Sequence, residues 1–283
     1  MLRVLAWFAC QIPPRWVCRW GRAMGWFIGS GLRLRRRVVR ENLGAAFSLP
    51  PRETAQLTQR IYAHLGRVLL ETLRLPLLNQ DKAREIIGEE ALTRLMALRR
   101  PERGVLVLTG HLGNWDLLAC AAAKVGLPIT VVTRSIHQRS MNRWWMRVRE
   151  ACGVRFVPAR GSAMKILRAL RRGDLVCLAL DQHEPGGVVV PFLGRPAATS
   201  TGLARLASAT GAPVVAAFLV ADPEYRVVLE APLAPPASKD EQDIVVATAR
   251  YTRAIEEFVR RYPEQWFWVH RRWKVAQNSP LNL

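Results

Sequence analysis

A chain of 283 residues, half of them hydrophobic, is long enough for one large α/β domain or two small ones and too apolar for global disorder. Its 42 Lys and Arg against 22 Asp and Glu give a formal net charge of +20. Such a charge indicates an anionic partner: nucleic acid, acidic lipid headgroups, a phosphorylated substrate or an acidic carrier protein. The five cysteines show neither CxxC nor zinc-ligand spacing, so no metal site is expected and a reducing compartment fits best.

The first 34 residues mix short apolar runs with arginines and the pair Pro13-Pro14. No apolar run reaches the ~18 residues that cross a bilayer easily, and no cleavage site of the secretory kind follows. The pattern favours an amphipathic, Trp- and Arg-rich segment over residues 1–45 that lies in a membrane interface, with the arginines between 33 and 40 facing anionic lipid. A buried helical hairpin with a solvated basic face is the alternative.

Hydrophobic periodicity predicts the later elements in turn. Helices are predicted over 52–75, 83–99, 115–125, 141–152, 162–171, 201–210 and 240–262. Strands are predicted over 105–109, 129–133, 155–158, 175–180 and 214–220, with an extended segment over 188–192 and an edge strand over 226–230. This alternation predicts an α/β fold with a mixed, mainly parallel central sheet flanked by helices. No repeat or linker interrupts it, so residues 46–283 are expected to form one domain.

The turn over residues 110–116 (GHLGNWD) joins the strand 105–109 to the next helix. It holds His111 and, five residues on, Asp116. A carboxylate that holds the Nδ1–H of an imidazole makes the ring more basic, so the other nitrogen can take a proton from a hydroxyl. Open α/β sheets place their chemistry at the carboxyl ends of strands, where this turn lies. In the alternative, Asp116 only caps the helix and His111 is an ordinary polar turn residue.

Two further positions carry charge beside predicted strands. Arg160 precedes a helix start, where a cation is unfavourable for the helix dipole unless an anion binds there. The alternative is that Arg160 is an exposed arginine of a loop. Asp181 ends an apolar strand, again at a carboxyl end. The run 188–192 that follows either lines a groove for an acyl chain or forms an ordinarily packed hairpin. His183 has no orienting carboxylate beyond Glu184 and is not expected to be catalytic.

Residues 263–274 (PEQWFWVHRRWK) interleave aromatic and cationic side chains. Such a segment suits membrane headgroups or phosphates. The same composition can stack on single-stranded nucleic acid, or it can simply pack its tryptophans on the core.

Taken together, these blocks resemble the bacterial lipid A biosynthesis (late) acyltransferase family. The matching blocks follow one another in order from about residue 1 to 275: residues 40–43 (RENL), 110–116, 181–182 (DQ), 190–199 (VPFLGRPAAT) and 263–274. One such block is a weak signal, whereas several in the same order are specific.

The resemblance implies an enzyme at the cytoplasmic face of the inner membrane with the α/β fold of glycerophosphate-type acyltransferases. It implies transfer of a fatty acyl group from acyl carrier protein, or coenzyme A, to a hydroxyl of a phosphorylated lipid A precursor. Expected partners are therefore the carrier protein, this glycolipid and an anionic membrane surface, without nucleic acid, metal or a bound cofactor. The resemblance assigns catalysis to His111 and Asp116, and the substrate-binding positions are Gly113, Asn114, Arg160, Asp181 and Arg195.

No GxSxG or comparable nucleophile motif is present, so we expect direct transfer with His111 as general base and Asp116 as its orienting partner. Backbone N–H groups of the turn or Arg160 are the candidate oxyanion donors. Many lipid A members carry Glu where this chain has Asp116, and Asp occurs in relatives that acylate other glycolipids, including phosphatidylinositol mannosides. Acylation of such a lipid is one alternative; a non-catalytic basic protein that binds membranes or nucleic acid is another.

Overall fold

The computed structural model describes residues 2–100, 102–134, 138–222, 224–275 and 279–283. The helices are α1 (Leu2–Gln11), α2 (Pro14–Trp26), α3 (Arg36–Ala46), α4 (Pro51–Leu73), α5 (Gln80–Ile87), α6 (Glu89–Leu98), α7 (Trp115–Lys124), α8 (Arg139–Ala151), α9 (Ala163–Arg171), α10 (Gly202–Thr210) and α11 (Glu241–Arg261). The strands are β1 (Val105–Thr109), β2 (Ile129–Thr133), β3 (Arg155–Pro158), β4 (Leu175–Ala179), β5 (Val188–Phe192), β6 (Arg195–Thr199), β7 (Val214–Ala221) and β8 (Tyr225–Leu229).

The central sheet has the strand order β3-β2-β4-β1-β7-β8. Every neighbouring pair in it is parallel except β7 with β8, which is antiparallel and closes one edge. The predicted mixed, mainly parallel sheet flanked by helices is confirmed, and so is the edge strand. The chain crosses from β1 past β4 to β2 and later returns to β7 on the other side of β1, so the order reverses at β1 and β4. Ligands bind at such a reversal in open α/β sheets.

Both faces of the sheet are buried because successive side chains of a strand point to opposite faces. Along β1, Val105 and Val107 join the core under α5, α6 and α7. Leu106 and Leu108 join the larger core under α3, α4, α9, α10 and α11. The near-continuous apolar sequence of the parallel strands follows from this double coverage.

Two elements differ from the prediction. The helix expected over 83–99 is broken at Gly88, whose φ of +73° ends α5 and begins α6. β6 was not predicted; it pairs with β5 through a tight turn in which Leu193 and Gly194 both have positive φ, the requirement of a type I′ hairpin. Val190 and Phe192 are buried in the core. The hairpin alternative is therefore correct, and none of residues 188–192 lines the large cavity beside His111.

The N-terminal helices pack directly on the α/β domain. Gly21 and Gly25 of α2 lie against Gly66 of α4 so closely that a Cβ on Gly66 would sit 2.2 Å from the Gly21 carbonyl oxygen. α3 is packed more deeply than α2, since its Val39 and Leu43 are part of the main core. The division at residues 45 and 46 stays a prediction. Within the described ranges, no helix combines the length and apolarity needed to span a membrane.

Replacing Gly66 by Ala should force α2 away from α4 and lower the free energy of unfolding by about 1–3 kcal/mol, the usual cost of overpacking. Gly44 on α3 is the matched control, because a Cβ there meets no atom within 4 Å. Gly44→Ala should leave stability unchanged or raise it by up to about 1 kcal/mol. Chemical unfolding of both variants measures this, and equal stabilities would contradict the close helix crossing.

Candidate active site

Adjacent parallel strands bring His111 and Asp181 together. In the register of β1 with β4, Thr109 is opposite Ala179, and each functional side chain lies two residues beyond. His111 Nδ1 is 3.0 Å from Asp181 Oδ1, and the His111 backbone N–H donates to Asp181 Oδ2 at 2.8 Å. An ionised carboxylate only accepts hydrogen bonds. Nδ1 therefore carries the proton, and Nε2 is left to accept one.

A third donor reaches Asp181 from the C-terminal segment. The indole Nε1–H of Trp266 donates to Asp181 Oδ2 at 2.9 Å. The same segment crosses the turn over residues 110–116, where the Phe267 N–H donates to the His111 carbonyl oxygen and the Gly113 N–H donates to the Gln265 carbonyl oxygen. Burial raises the pKa of Asp181, but the charge of His111 and these hydrogen bonds outweigh it and lower that pKa to about 2.

His111 has the opposite balance. Burial lowers its pKa, yet the charge and hydrogen bond of Asp181 outweigh burial, so the pKa is raised above the ordinary value. Its side chain is 28% exposed, whereas Asp181 is fully enclosed. The rings of Trp115 and Phe267 pack at centroid distances of 5.0 and 5.9 Å, and Gln182 Nε2 lies 3.3 Å from both ring nitrogens. The imidazole is thus held in place by Asp181 and these neighbours, and its Nε2 lies within hydrogen-bond reach of the Gln182 amide.

Asp116 does not orient this imidazole. Its Oδ1 accepts from Arg149 Nη1 at 3.1 Å, and its Oδ2 is buried without a hydrogen-bond partner among the described residues. Burial raises the pKa of Asp116, while the Arg149 guanidinium opposes that rise. Asp116 is not the helix cap either, because Asn114 Oδ1 accepts from the Leu117 N–H at 3.0 Å. The expected pairing of His111 with Asp116 is therefore replaced by a pairing with Asp181.

Gly113 and Asn114 fix the conformation of the turn through contacts with β7 and α4. Gly113 has φ +64°, and a Cβ there would meet the Leu219 carbonyl oxygen at 1.8 Å. Asn114 is fully buried and donates through Nδ2 to Glu71 on α4 at 2.8 Å. His64, also on α4, lies 3.3 Å from the Gly113 carbonyl oxygen. These contacts give Gly113 and Asn114 a structural role in the turn, and the expected contact of both residues with substrate stays a prediction.

A cavity of about 1170 Å³ opens beside His111 and Asp116. It exceeds the roughly 300–1,000 Å³ of ordinary small-molecule sites. Its walls are mainly apolar and come from both cores: Ile87, Leu95, Val107, Ala122, Ile129 and Leu175 on one face of the sheet, Ile166, Leu178, Leu180 and Leu203 on the other. The cavity therefore has apolar walls on both faces of the sheet, which we call its two arms, and it reaches His111 beyond the carboxyl end of β1.

Charged side chains stand at the mouth of this cavity. Glu184 contacts Arg134, and its other oxygen is 4.0 Å from Arg160 Nη2. The Arg160 side chain is 80% exposed, so the predicted anion-binding arginine lies at the entrance rather than beside the imidazole. His183 also lines the cavity, and its backbone N–H donates to His270 Nε2.

Other predicted residues lie away from the cavity. Arg195 begins β6 and stacks over Trp273 with its guanidinium carbon 5.8 Å from the ring centroid. Trp266 and Trp268 are buried, and Arg272 is fully buried with hydrogen bonds to the Ala198 carbonyl and the Thr199 hydroxyl. In the segment 263–274 these three side chains serve the core and the hairpin. Neither headgroup contact nor base stacking is open to them.

The α/β fold thus places a hydrogen-bonded histidine and aspartate beside a mainly apolar cavity, the arrangement of an α/β enzyme. Comparison with known proteins agrees with this class. Residues 2–275 match the model of a family described as bacterial lipid A biosynthesis acyltransferase. The chain is 25% identical over 289 residues to the lipid A biosynthesis palmitoleoyltransferase of Escherichia coli (strain K12), covering 98% of this chain and 91% of that protein.

The lipid A biosynthesis lauroyltransferase of the same strain is 26% identical over 285 residues, covering 95% of this chain and 89% of that protein. A phosphatidylinositol mannoside acyltransferase of Mycolicibacterium smegmatis is 24% identical over 244 residues, covering 83% and 78%. The chain belongs to the bacterial lipid A biosynthesis acyltransferase family. It is an acyltransferase.

The pKa of His111 shows which carboxylate, Asp181 or Asp116, is paired with its imidazole. Asp181→Asn removes the negative charge and leaves burial, so the pKa of His111 should fall from above its ordinary value of about 6.5 to below it. Asp116→Asn should shift that pKa less, because Asp116 makes no hydrogen bond to the ring. NMR of the imidazole, assigned with His111→Ala, measures both. A larger shift in Asp116→Asn would restore the pairing predicted from the sequence.

Proposed function

We propose that this chain transfers a fatty acyl group from an acyl carrier protein or coenzyme A thioester to a hydroxyl of a lipid A precursor, in lipopolysaccharide biosynthesis at the cytoplasmic face of the inner membrane. The observation that carries the proposal is the hydrogen-bonded pair of His111 and Asp181 at the junction of a long apolar cavity. The activities for which the relatives are named support a lipid A precursor as the acceptor.

In the proposed reaction, His111 Nε2 removes the proton of the acceptor hydroxyl. The oxygen attacks the thioester carbonyl, the tetrahedral intermediate collapses with cleavage of the C–S bond, and the imidazolium returns its proton to the thiolate. The products are an ester and a free thiol. Asp181 keeps its charge and stabilises the imidazolium, and its low pKa suits this role. General acid–base catalysis of this kind contributes about 10²–10⁴-fold.

The oxyanion of the tetrahedral intermediate needs hydrogen-bond donors that are not already bonded to protein oxygens. In the turn, the N–H groups of His111, Gly113 and Asn114 donate to protein oxygens. Arg149 Nε is different, since it is buried, lacks a hydrogen-bond partner among the described residues, and belongs to a residue that lines the cavity. A buried donor without a partner is costly unless a ligand or water satisfies it. We assign this N–H to the carbonyl oxygen of the thioester.

The apolar arms suit acyl chains, and the arginines at the mouth suit phosphates. Guanidinium groups bind phosphate through paired hydrogen bonds, so Arg134 and Arg160 are proposed to contact the phosphorylated acceptor or the phosphopantetheine phosphate. The net charge of +20 would also attract an acidic carrier protein.

The N-terminal helices are proposed to lie in the membrane interface. Exposed on α1, α2 and the turn that follows are large apolar side chains: Val4 55%, Leu5 46%, Trp7 59%, Phe8 59%, Trp20 57%, Trp26 64% and Phe27 54%. An exposed apolar surface of this kind, interspersed with arginines, is typical of a helix that lies on a bilayer.

Acylation of another glycolipid is the second candidate. It is favoured by the similarity to the phosphatidylinositol mannoside acyltransferase and by Asp116, which the sequence resemblance associates with such relatives. Both candidates share the donor and the base, and they differ only in the acceptor.

The direct assay uses purified protein, acyl carrier protein thioesters of several chain lengths and the Kdo-bearing tetra-acylated lipid A precursor. His111→Ala should lower kcat/KM by about 10²–10⁴-fold, and Asp181→Asn should also lower it strongly. Asp222→Asn, the same change at an exposed carboxylate, is the matched control and should leave the rate unchanged. Turnover by folded His111→Ala at the wild-type rate would refute the mechanism. Absence of product with this acceptor, but product with another glycolipid, would select the second candidate.

The cavity should also set chain length. Ala122 on α7 lines the arm beneath the sheet, and Ala122→Leu would fill part of it. We expect the preferred donor to become shorter, with about tenfold or more discrimination against the wild-type chain, as one or two methylenes in an apolar pocket are worth about 1–3 kcal/mol. The ratio of rates across donors measures this. An unchanged profile in a folded variant would place the acyl chain elsewhere.

A further inference from the structure

A second cavity lies across α8 from the candidate active site. It has a volume of about 660 Å³ and is bounded by the start of α1, the 3₁₀ turn Leu75–Leu77 and α8. Its lining is largely apolar, with Leu2, Leu75, Leu78, Met141, Trp144 and Val148. We call it the α1–α8 groove. The acylation chemistry proposed above makes no use of it.

Cations surround this groove without counter-ions. Arg3, Lys124, Arg143 and Arg147 line it. None of the lining residues is Asp or Glu, and none of the four cations makes an ion pair with any residue in the described ranges. Like charges grouped around an apolar floor repel one another, and an anion relieves that repulsion.

The apolar surface beside the groove indicates that the bound anion carries an apolar chain. The groove opens beside α1, where Val4, Trp7 and Phe8 are more than half exposed. α8 has no fully buried residue, although Trp144 and Met141 on it are large and apolar. A ligand with an apolar chain would therefore complete the packing between α1 and α8. An anionic headgroup attached to such a chain would meet the four cations.

We propose that the α1–α8 groove binds one anionic glycerophospholipid of the membrane, its phosphate held by Arg143, Arg147, Arg3 and Lys124 and an acyl chain lying on the apolar floor. This inference rests on the proposed membrane position of α1 and α2, and it does not depend on the acyl-transfer reaction. Because Arg149 lies on the same helix and lines the larger cavity, a lipid in the groove would support the helix that carries the proposed oxyanion donor.

The test is native mass spectrometry of the full chain in detergent micelles containing phosphatidylglycerol or phosphatidylcholine. The wild type should retain one phosphatidylglycerol with at least about tenfold preference over phosphatidylcholine. Arg143→Gln/Arg147→Gln should lose that preference. Arg168→Gln/Arg171→Gln on α9 makes the same change in charge at two exposed arginines outside the groove, so it should behave as the wild type.

A second measurement locates the lipid chain. Phosphatidylglycerol brominated on its acyl chains should quench wild-type fluorescence more than that of Trp144→Phe, because Trp144 lines the groove while the other tryptophans stay the same. Equal retention of the two lipids by the wild type, or equal loss in both arginine pairs, would overturn the proposal.

Vesicle flotation and the transferase assay separate this proposal from the others. Binding to anionic vesicles without retained phosphatidylglycerol would overturn the groove alone and leave the membrane position intact. Failure to bind vesicles would overturn both the membrane position and the groove. Loss of acyl transfer in His111→Ala tests the reaction and has no bearing on lipid retention.

Discussion

The buried carboxylate of Asp181 is the constraint on which the site depends. An ionised carboxylate enclosed in protein is unstable unless hydrogen bonds and charge compensate for lost water. Three donors do so here: the His111 ring, the His111 backbone and Trp266. They come from two distant parts of the chain. The reversal of strand order places the first two beside β4, and the C-terminal segment brings the third.

Two other carboxylates near the site, those of Asp116 and Glu71, hold different parts of its surroundings in place. Asp116 holds Arg149 in the cavity wall. Glu71 on α4 accepts hydrogen bonds from Asn114, Arg67 and Tyr225, and it fixes the back of the catalytic turn. α4 also carries the tight contact with α2. The helices proposed to touch the membrane and the turn that bears the imidazole thus both contact α4.

Much of this arrangement could be predicted from the sequence, and the reasons for success are local. Strands such as β1 and β4 are short apolar runs bounded by turn residues, so their positions follow from the sequence alone, and His111 and Asp181 were recognised because each follows such a run. The pairing between them could not be predicted. It depends on which strands are neighbours, and only the folded sheet shows that β4 lies beside β1 while Asp116 points to α8.

The same limit explains the residues that sequence reasoning missed. Arg149 belongs to no motif and acquires a role only because α8 packs near Asp116. Trp266 lies in a segment that carries the resemblance to the family. Aromatic residues beside arginines are typical of a membrane surface as well as of a core, and only the burial of Trp266 in the structure shows that it belongs to the core. Asn114 and Gly113 were expected to bind substrate because they belong to the motif that carries the resemblance. Their φ angle, cap and contacts with α4 show that both residues hold the shape of the turn, a role that the motif alone does not reveal.

The central claim is that Asp181 raises the basicity of His111 so that the neutral imidazole can act as the base. The pH dependence of kcat/KM for the wild-type enzyme tests it most directly, since this parameter reports the free enzyme. A base must be unprotonated, and the pKa of His111 is raised, so activity should increase with pH through a midpoint above about 6.5, the ordinary histidine value. A midpoint below that value would contradict the account.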